Sequence, residues 1–156
     1  MSLQQPKVYK QPVSVLVVIY TSALDVLLLE RADFPDYWQS VTGSRDGKET
    51  LSETAIRELF EETGLDAKLH TLTDWQVHNE YEIYPQWQHR YPPGTTHNTE
   101  HVFGLQLSQQ VPVQLSAREH LKYQWLPWNI AADKVFSPSN RGAILQLPER
   151  VKSNPP

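Results

Sequence analysis

At 156 residues the chain is long enough for one domain with a sizeable core. A formal net charge of −4 argues against a generic binder of nucleic-acid polymers. Zero cysteines exclude disulfides, zinc thiolates and a thiol nucleophile, and fit the cytoplasm as the expected location, while no apolar run or leader pattern points to a membrane.

Residues 13–20 form a β-branched and aliphatic run, the pattern of a buried strand. Residues 26–29 repeat it after a connection at 23–25, and 38–42 make a short third strand. Thr50 and Glu53 have the spacing of a capping box, so a helix is predicted to start near Thr50. Gly64 suits the left-handed residue that ends one. Between them Leu51, Ala55, Ile56, Leu59 and Phe60 fall on one side of a helical wheel, which predicts that they face the core. Residues 68–77, 81–90, 99–107 and 123–126 are further predicted strands, and Pro92, Pro93 and Gly94 mark a turn. Helices are predicted at 128–134 and 139–147. Strands, one central helix, more strands and closing helices give an α/β fold. Residues 1–150 are expected to form a single domain and 151–156 a disordered tail.

The segment from Gly43 to Leu65 carries the chemistry. Glu58 and Glu62 stand at i and i+4, with Glu61 beside them. At about 100° per residue the three carboxylates fan over roughly a quarter of the helix circumference, flanking the apolar stripe. Like charges so spaced weaken a helix by about 0.2–0.5 kcal/mol per pair, and acids in its C-terminal half oppose the dipole. A hard cation offsets both, because Mg²⁺ takes a few carboxylates, several waters and substrate phosphate oxygens. Arg57, one turn before Glu61, is placed to orient a carboxylate. Glu49, just ahead of the helix, can reach Arg57 or the metal. A solvated acidic face is the commoner meaning of such spacing. Here Gly43, Glu49, Arg57, Glu58, Leu59, Glu61, Glu62, Gly64 and Leu65 coincide, and average residue usage makes a chance match at one start on the order of one in a billion.

Those positions match the whole Nudix box, so the chain resembles the Nudix hydrolases. The resemblance implies cleavage of a nucleoside diphosphate linked to another group, with Mg²⁺ or Mn²⁺ as cofactor, on an α/β/α sandwich with a central mixed β-sheet. It implies Glu58 and Glu62 as the leading metal ligands, Glu61 sharing the site and Glu119 joining from outside the box, with Glu100 as its rival. Either Glu61 or Glu119 serves as general base, Arg57 orients the acids, and Glu49 holds Arg57 or the loop. Family members often carry glycine just before the first glutamate of the box. Here Lys48 stands there after Gly47, so the loop is expected to turn one residue early. No histidine lies in the box, and His89, His97, His101 and His120 are expected to be structural or solvent-facing.

The flanks narrow the family. The runs around Lys10, Arg31, Trp38–Gln39, His89–Arg90, Asn98–Glu100, Glu119–His120 and Ser139–Arg141 recur in order in one bacterial subgroup. That resemblance implies hydrolysis of dihydroneopterin triphosphate to the monophosphate and pyrophosphate, in folate synthesis. A (deoxy)nucleoside triphosphate pyrophosphatase, of housekeeping or 8-oxo-dGTP type, is the alternative. A nucleotide-sensing module that does not cut ranks lower, because such modules usually lose box acids. The expected partner is thus a small-molecule triphosphate. The resemblance implies Lys10, Arg31, Thr42 and Ser137 as substrate contacts, with Tyr81, Glu82, Ile83 and Tyr84 as a wall for a flat ring. Charge alone adds Arg90 and Arg141 as phosphate candidates, Arg90 having Glu82 or Glu100 as alternative partners. The tryptophans are expected to pack, with Trp38 as the exception nearest the box.

Overall fold

A computed structural model describes residues 8–153. The first strand, β1 (Val13–Thr21), is buried along almost its whole length. It must therefore be covered on both faces, as its unbroken apolar sequence demands. Around it lie β2 (Asp25–Arg31), β3 (Trp38–Gln39), β4 (Val41–Ser44), β5 (Thr71–Glu82), β6 (His97–Leu107) and β7 (His120–Pro127). The main path runs β3-β2-β1-β6-β5, with β4 also on β1 and β7 also on β2. β1 and β6 are parallel and the other pairs antiparallel, so the sheet is mixed.

Alternation along β1 splits the core in two. Val15, Val17 and Ile19 join Leu27, Leu29, Phe103 and Leu105 under the central helix α1 (Leu51–Thr63), through its Ala55 and Leu59. Leu16, Val18 and Tyr20 pack on the opposite face against α2 (Trp128–Lys134), α3 (Pro138–Leu145) and the start of α4 (Leu147–Ser153). The result is the expected α/β/α sandwich. None of the described helices is long and apolar enough to cross a membrane.

Helix α1 begins and ends where its sequence dictates. Glu53 N–H donates to Thr50 Oγ1 at 3.1 Å, and Thr50 N–H to Glu53 Oε1 at 2.9 Å, completing the capping box. Gly64 closes the helix at φ 74°, in the left-handed region, with its N–H on the Phe60 carbonyl. The buried face differs from the predicted one. Thr54, Ala55, Glu58, Leu59, Glu62 and Thr63 point inward, while Ile56 and Phe60 are exposed. The helix is rolled so that Glu58 and Glu62 lie within the buried arc instead of beside it, while Glu61 stays exposed.

Four other elements depart from expectation. The strand predicted over 81–90 ends at Glu82, and Pro85 starts a 3₁₀ turn over Pro85–Arg90. Proline has no N–H for a ladder and presets the turn's φ. The strand predicted over 68–77 begins later, after a 3₁₀ turn at Ala67–Leu69, and continues through a bulge to Glu82. The strand predicted over 38–42 breaks at Ser40, as the chain passes from pairing with β2 to pairing with β1. Asn140 pins that step, accepting from Ser40 N–H at 2.8 Å and donating to Ser40 Oγ at 2.9 Å. The helix predicted over 139–147 becomes α3 and α4, broken ahead of Pro148. Residues 151–153 of the expected tail belong to α4, and 154–156 lie outside the described residues.

Removing the cap hydroxyl should be felt by the whole domain, because α1 carries half of one core. Thr50→Ala is expected to lower stability by about 1 kcal/mol, read from the shift of the urea unfolding midpoint at unchanged slope.

Candidate active site

The loop from β4 into α1 turns at Gly47 (φ 52°), one residue early as expected, and delivers Glu49 to Arg57. Arg57 is the hub. Its Nε and Nη2 donate to the two oxygens of Glu49 at 2.8 and 3.0 Å, and Nη2 also to the Ser44 carbonyl at 3.0 Å. Its Nη1 donates to Glu58 at 2.8 Å and to Glu61 at 3.2 Å. The hydrogen bonds from Arg57 hold the Glu49 carboxyl down to about 2. Of the two roles open to Glu49, the geometry thus favours the arginine.

Glu58 and Glu62 are almost fully buried, at 8% and 1% exposure. Gly43 makes room for the first, since a Cβ there would collide with the Glu58 carboxylate. Burial pushes both carboxyls up, Glu62 most, and Glu58 beside it adds to the effect. Glu62 Oε2 is buried with no hydrogen-bond partner. His120 Nε2 lies 3.4 Å from Glu62 Oε1. Burial first, and then Arg31, hold that imidazole down at about 4, so it is neutral near pH 7. Glu62, Glu119 and His120 each offer a ligand atom within 4.8 Å of the others. Two carboxylates, one of them with an orphaned buried oxygen, beside a neutral imidazole fit a divalent cation, which would relieve the buried charge.

These groups line one end of a cleft of about 220 Å³. Lys10, Arg31, Arg90, Thr42, Ser137, Tyr81, Ile83 and Tyr84 line it as well. Of the proposed ring wall, Glu82 is absent from the cleft and exposed, because strand alternation turns it to the opposite face from Tyr81. Glu61 is half exposed, bonded to Arg57 and outside both the cleft and the cation-binding group. Arg141 is exposed and pairs with Asp133 at 3.6 Å, away from the cleft. Glu119, on the loop entering β7, stands with Glu62. Its rival Glu100 lines the cleft but is not part of that group.

Several cleft residues were not singled out by the sequence. Asp33 accepts from Arg31 Nε and Nη2 at 2.7 and 2.8 Å, from Trp87 Nε1 at 2.9 Å and from Arg90 Nη2 at 3.0 Å. Burial raises its pKa, but the bonds from Arg31, Trp87 and Arg90 outweigh it and hold the carboxyl well below its usual range. Arg90 therefore pairs with Asp33 and not with Glu82 or Glu100. Trp87, with the Arg31 guanidinium 4.2 Å above its ring, lines the cleft, while Trp38 lies outside it under Lys134. Phe136 completes an aromatic group with Tyr84 and Trp87. His120, expected to be structural or solvent-facing, lies in the acid cluster. One signal was available: His120 directly follows Glu119 and opens β7, whose register sets it opposite Arg31.

A helix-borne acid cluster keyed by one arginine, on this sheet, defines a class, and the chain belongs to the Nudix family: the NUDIX domain profile matches residues 10–147. Within it, the chain is 49% identical over 144 residues to the dihydroneopterin triphosphate diphosphatase of Escherichia coli K12, covering 90% of this chain and 95% of that one. It is 42% identical over 139 residues to the enzyme of the same name from Haemophilus influenzae, covering 87% of each. The solved structure of the E. coli dihydroneopterin triphosphate pyrophosphohydrolase superposes with a TM-score of 0.85 at 48% identity, covering 90% of this chain and 97% of that one.

Two outcomes follow from the ion-pair geometry. Glu49 is depressed in the folded protein, so its pair with Arg57 stabilises above the unfolded value near 4.5 and is lost as pH falls through about 2. Glu49→Gln is expected to cost about 2 kcal/mol at pH 7. The gap to the parent protein should close over that acid window in pH-dependent unfolding curves. Asp33→Asn removes the anchor shared by two cleft arginines. It should raise KM for a triphosphate about tenfold and leave kcat within about twofold, as steady-state kinetics would resolve.

Proposed function

We propose that the chain hydrolyses dihydroneopterin triphosphate, with water, to the monophosphate and pyrophosphate. The observation that carries this reading is one continuous cleft with buried acids at one end, four cationic side chains (Lys10, Arg31, Arg90 and Arg118), and an aromatic-walled slot beyond them. The similarity to the E. coli and H. influenzae enzymes supports the pterin. Glu58, Glu62 and Glu119 would hold Mg²⁺, with Mn²⁺ able to replace it, and His120 would orient Glu62. When bound, the ion neutralises phosphate charge and polarises the bond to be cut. Lys10, Arg31 and Arg90 bind the polyphosphate and fix it for in-line attack. Glu119, an exposed carboxylate on the cleft wall, takes the proton of the attacking water in this reading, a role that Glu61 outside the cleft is poorly placed to fill. Arg57 and Glu49 hold the acidic helix against the β4 loop. Thr42 and Ser137 contact the substrate along the cleft, and Tyr81, Ile83 and Tyr84 wall the ring. A single domain suffices for all of this, and a chain without cysteine is suited to a reducing cytoplasm.

The test is kcat/KM in Mg²⁺ buffer for dihydroneopterin triphosphate against the common (d)NTPs and 8-oxo-dGTP, with pyrophosphate as the readout. A preference of about tenfold or more for the pterin, roughly 1.4 kcal/mol of transition-state discrimination, is expected. A preference for a nucleotide would overturn the substrate and keep the chemistry. Glu62→Gln should cut turnover more than about 100-fold while leaving the unfolding curve intact, and near-parental turnover at saturating Mg²⁺ would remove Glu62 from the metal site.

A further inference from the structure

The slot end of the cleft holds a further buried acid that the reaction as described does not use. β1 and β6 run in parallel register with Ser14 beside Glu100, and β5 sets Tyr81 beside Asn98. The four side chains therefore share one face of the sheet. Glu100 is 4% exposed and Asn98 1%. Asn98 gives its Nδ2 to Ser14 Oγ at 2.8 Å and to Tyr81 Oη at 3.0 Å, which leaves its Oδ1 buried without a partner. Glu100 accepts from Ser139 Oγ at 2.8 Å, and no cation pairs with it among the described residues.

Buried acceptors left short of donors are costly, and they persist where something else supplies the donors. Here they lie in a cleft walled by the rings of Tyr84, Trp87 and Phe136, whose centroids are 5.5–5.9 Å apart. Flat walls select a flat ring, and acceptors at the sheet select N–H groups on its edge. We propose that Glu100, with Asn98 beside it, is the specificity-determining group of this cleft: it accepts from the adjacent ring N–H and amino N–H of a 2-amino-4-oxo edge, the edge common to pterin and guanine. Adenine presents a ring acceptor beside its amino group and would set a lone pair against the carboxylate. Burial pushes the Glu100 carboxyl up, against the Ser139 hydrogen bond, and two N–H donors favour its charged form.

The inference rests on reading this cleft as the substrate site, and its test separates the two. The probes are 6-hydroxymethylpterin and 6-hydroxymethyllumazine, which carry 2-amino and 2-oxo groups on the same bicyclic ring. Their dissociation constants are measured by fluorescence titration on the full chain and on Glu100→Gln, with thermal unfolding as the check on folding. The parent is expected to favour the pterin at least about tenfold, and Glu100→Gln to bring the ratio to about one. A carboxylate serving only to steady Ser139 would leave the ratio unmoved, and that result overturns the proposal, as does a parent that binds both rings equally. If Glu100→Gln does not fold, dGTP against dITP turnover on the parent carries the test. Equal kcat/KM for that pair overturns the proposal. Pterin preference without pyrophosphate release from any triphosphate supports the ring assignment and defeats the proposed reaction. Cleavage of triphosphates without ring preference does the reverse.

Discussion

Two carboxylates one turn apart are held inside the protein, and most of the site is organised around that burial. Removing a charged carboxylate from water costs several kcal/mol even after relaxation. For Glu58 the Arg57 guanidinium offsets part of the cost, while Glu62 has no ion pair to a charged partner among the described residues, only the field of Lys10 and the neutral His120 beside it. To admit them α1 rolls until both acids lie in its buried arc, which leaves Ile56 and Phe60 in water. At 39% and 64% exposure they forgo part of the about 1.5–3 kcal/mol that full burial of each would bring. A helix selected for stability alone would roll the other way. The capping box, Gly64 and the grip of Arg57 on Glu49 and the Ser44 carbonyl hold the unfavourable orientation in place.

β1 then divides the labour. Its odd residues pack beneath the acidic helix, and its even ones face α2–α4, until Ser14 and Leu16 emerge into the cleft. Because β4 pairs with the same strand, Gly43 meets Glu58 on one face while Thr42 lies in register with Leu16 on the other. In the proposed reading the metal and the ring would thus be served by opposite faces of adjacent strands a few residues apart.

What the sequence made legible was local. The cap, the terminating glycine, the acids and the arginine lie within one segment, and their geometry follows from helical spacing. The extent of that helix was read from its ends, but not its roll, because Ile56 and Phe60 carry an apolar signal that the acids override. The ring pocket was legible only in part. Tyr81 and Ile83 alternate as a strand requires, but Trp87 and Arg90 turn inward on a 3₁₀ turn started by Pro85, where a continued strand was expected. Asp33 lies 54 residues from Trp87 and 57 from Arg90. Nothing about an aspartate in a loop announces partners at that distance. His120 was signalled only by its place after Glu119, since it is the β2–β7 pairing that brings it beside the acids.

Glu100 and Glu119 show how topology assigns roles that residue type leaves open. As isolated acids they were rivals for one place in the metal shell. β6 runs parallel to β1 and carries Glu100 to the aromatic side, while the loop into β7 hangs Glu119 from the end of β2, where its carbonyl accepts from Ala32 N–H. Arg31 bridges the two regions: its guanidinium lies over Trp87, yet it acts on His120 strongly enough to help keep that ring neutral. Asp33 fixes this arginine without neutralising the cleft, because Lys10, Arg90 and Arg118 line it as well. An entering anion thus meets concentrated positive charge with acidic groups to either side. In the proposed reading, a molecule that brings a polyphosphate for the cations and N–H donors for the far carboxylate satisfies both regions at once, and that pairing would fix which way round the substrate lies.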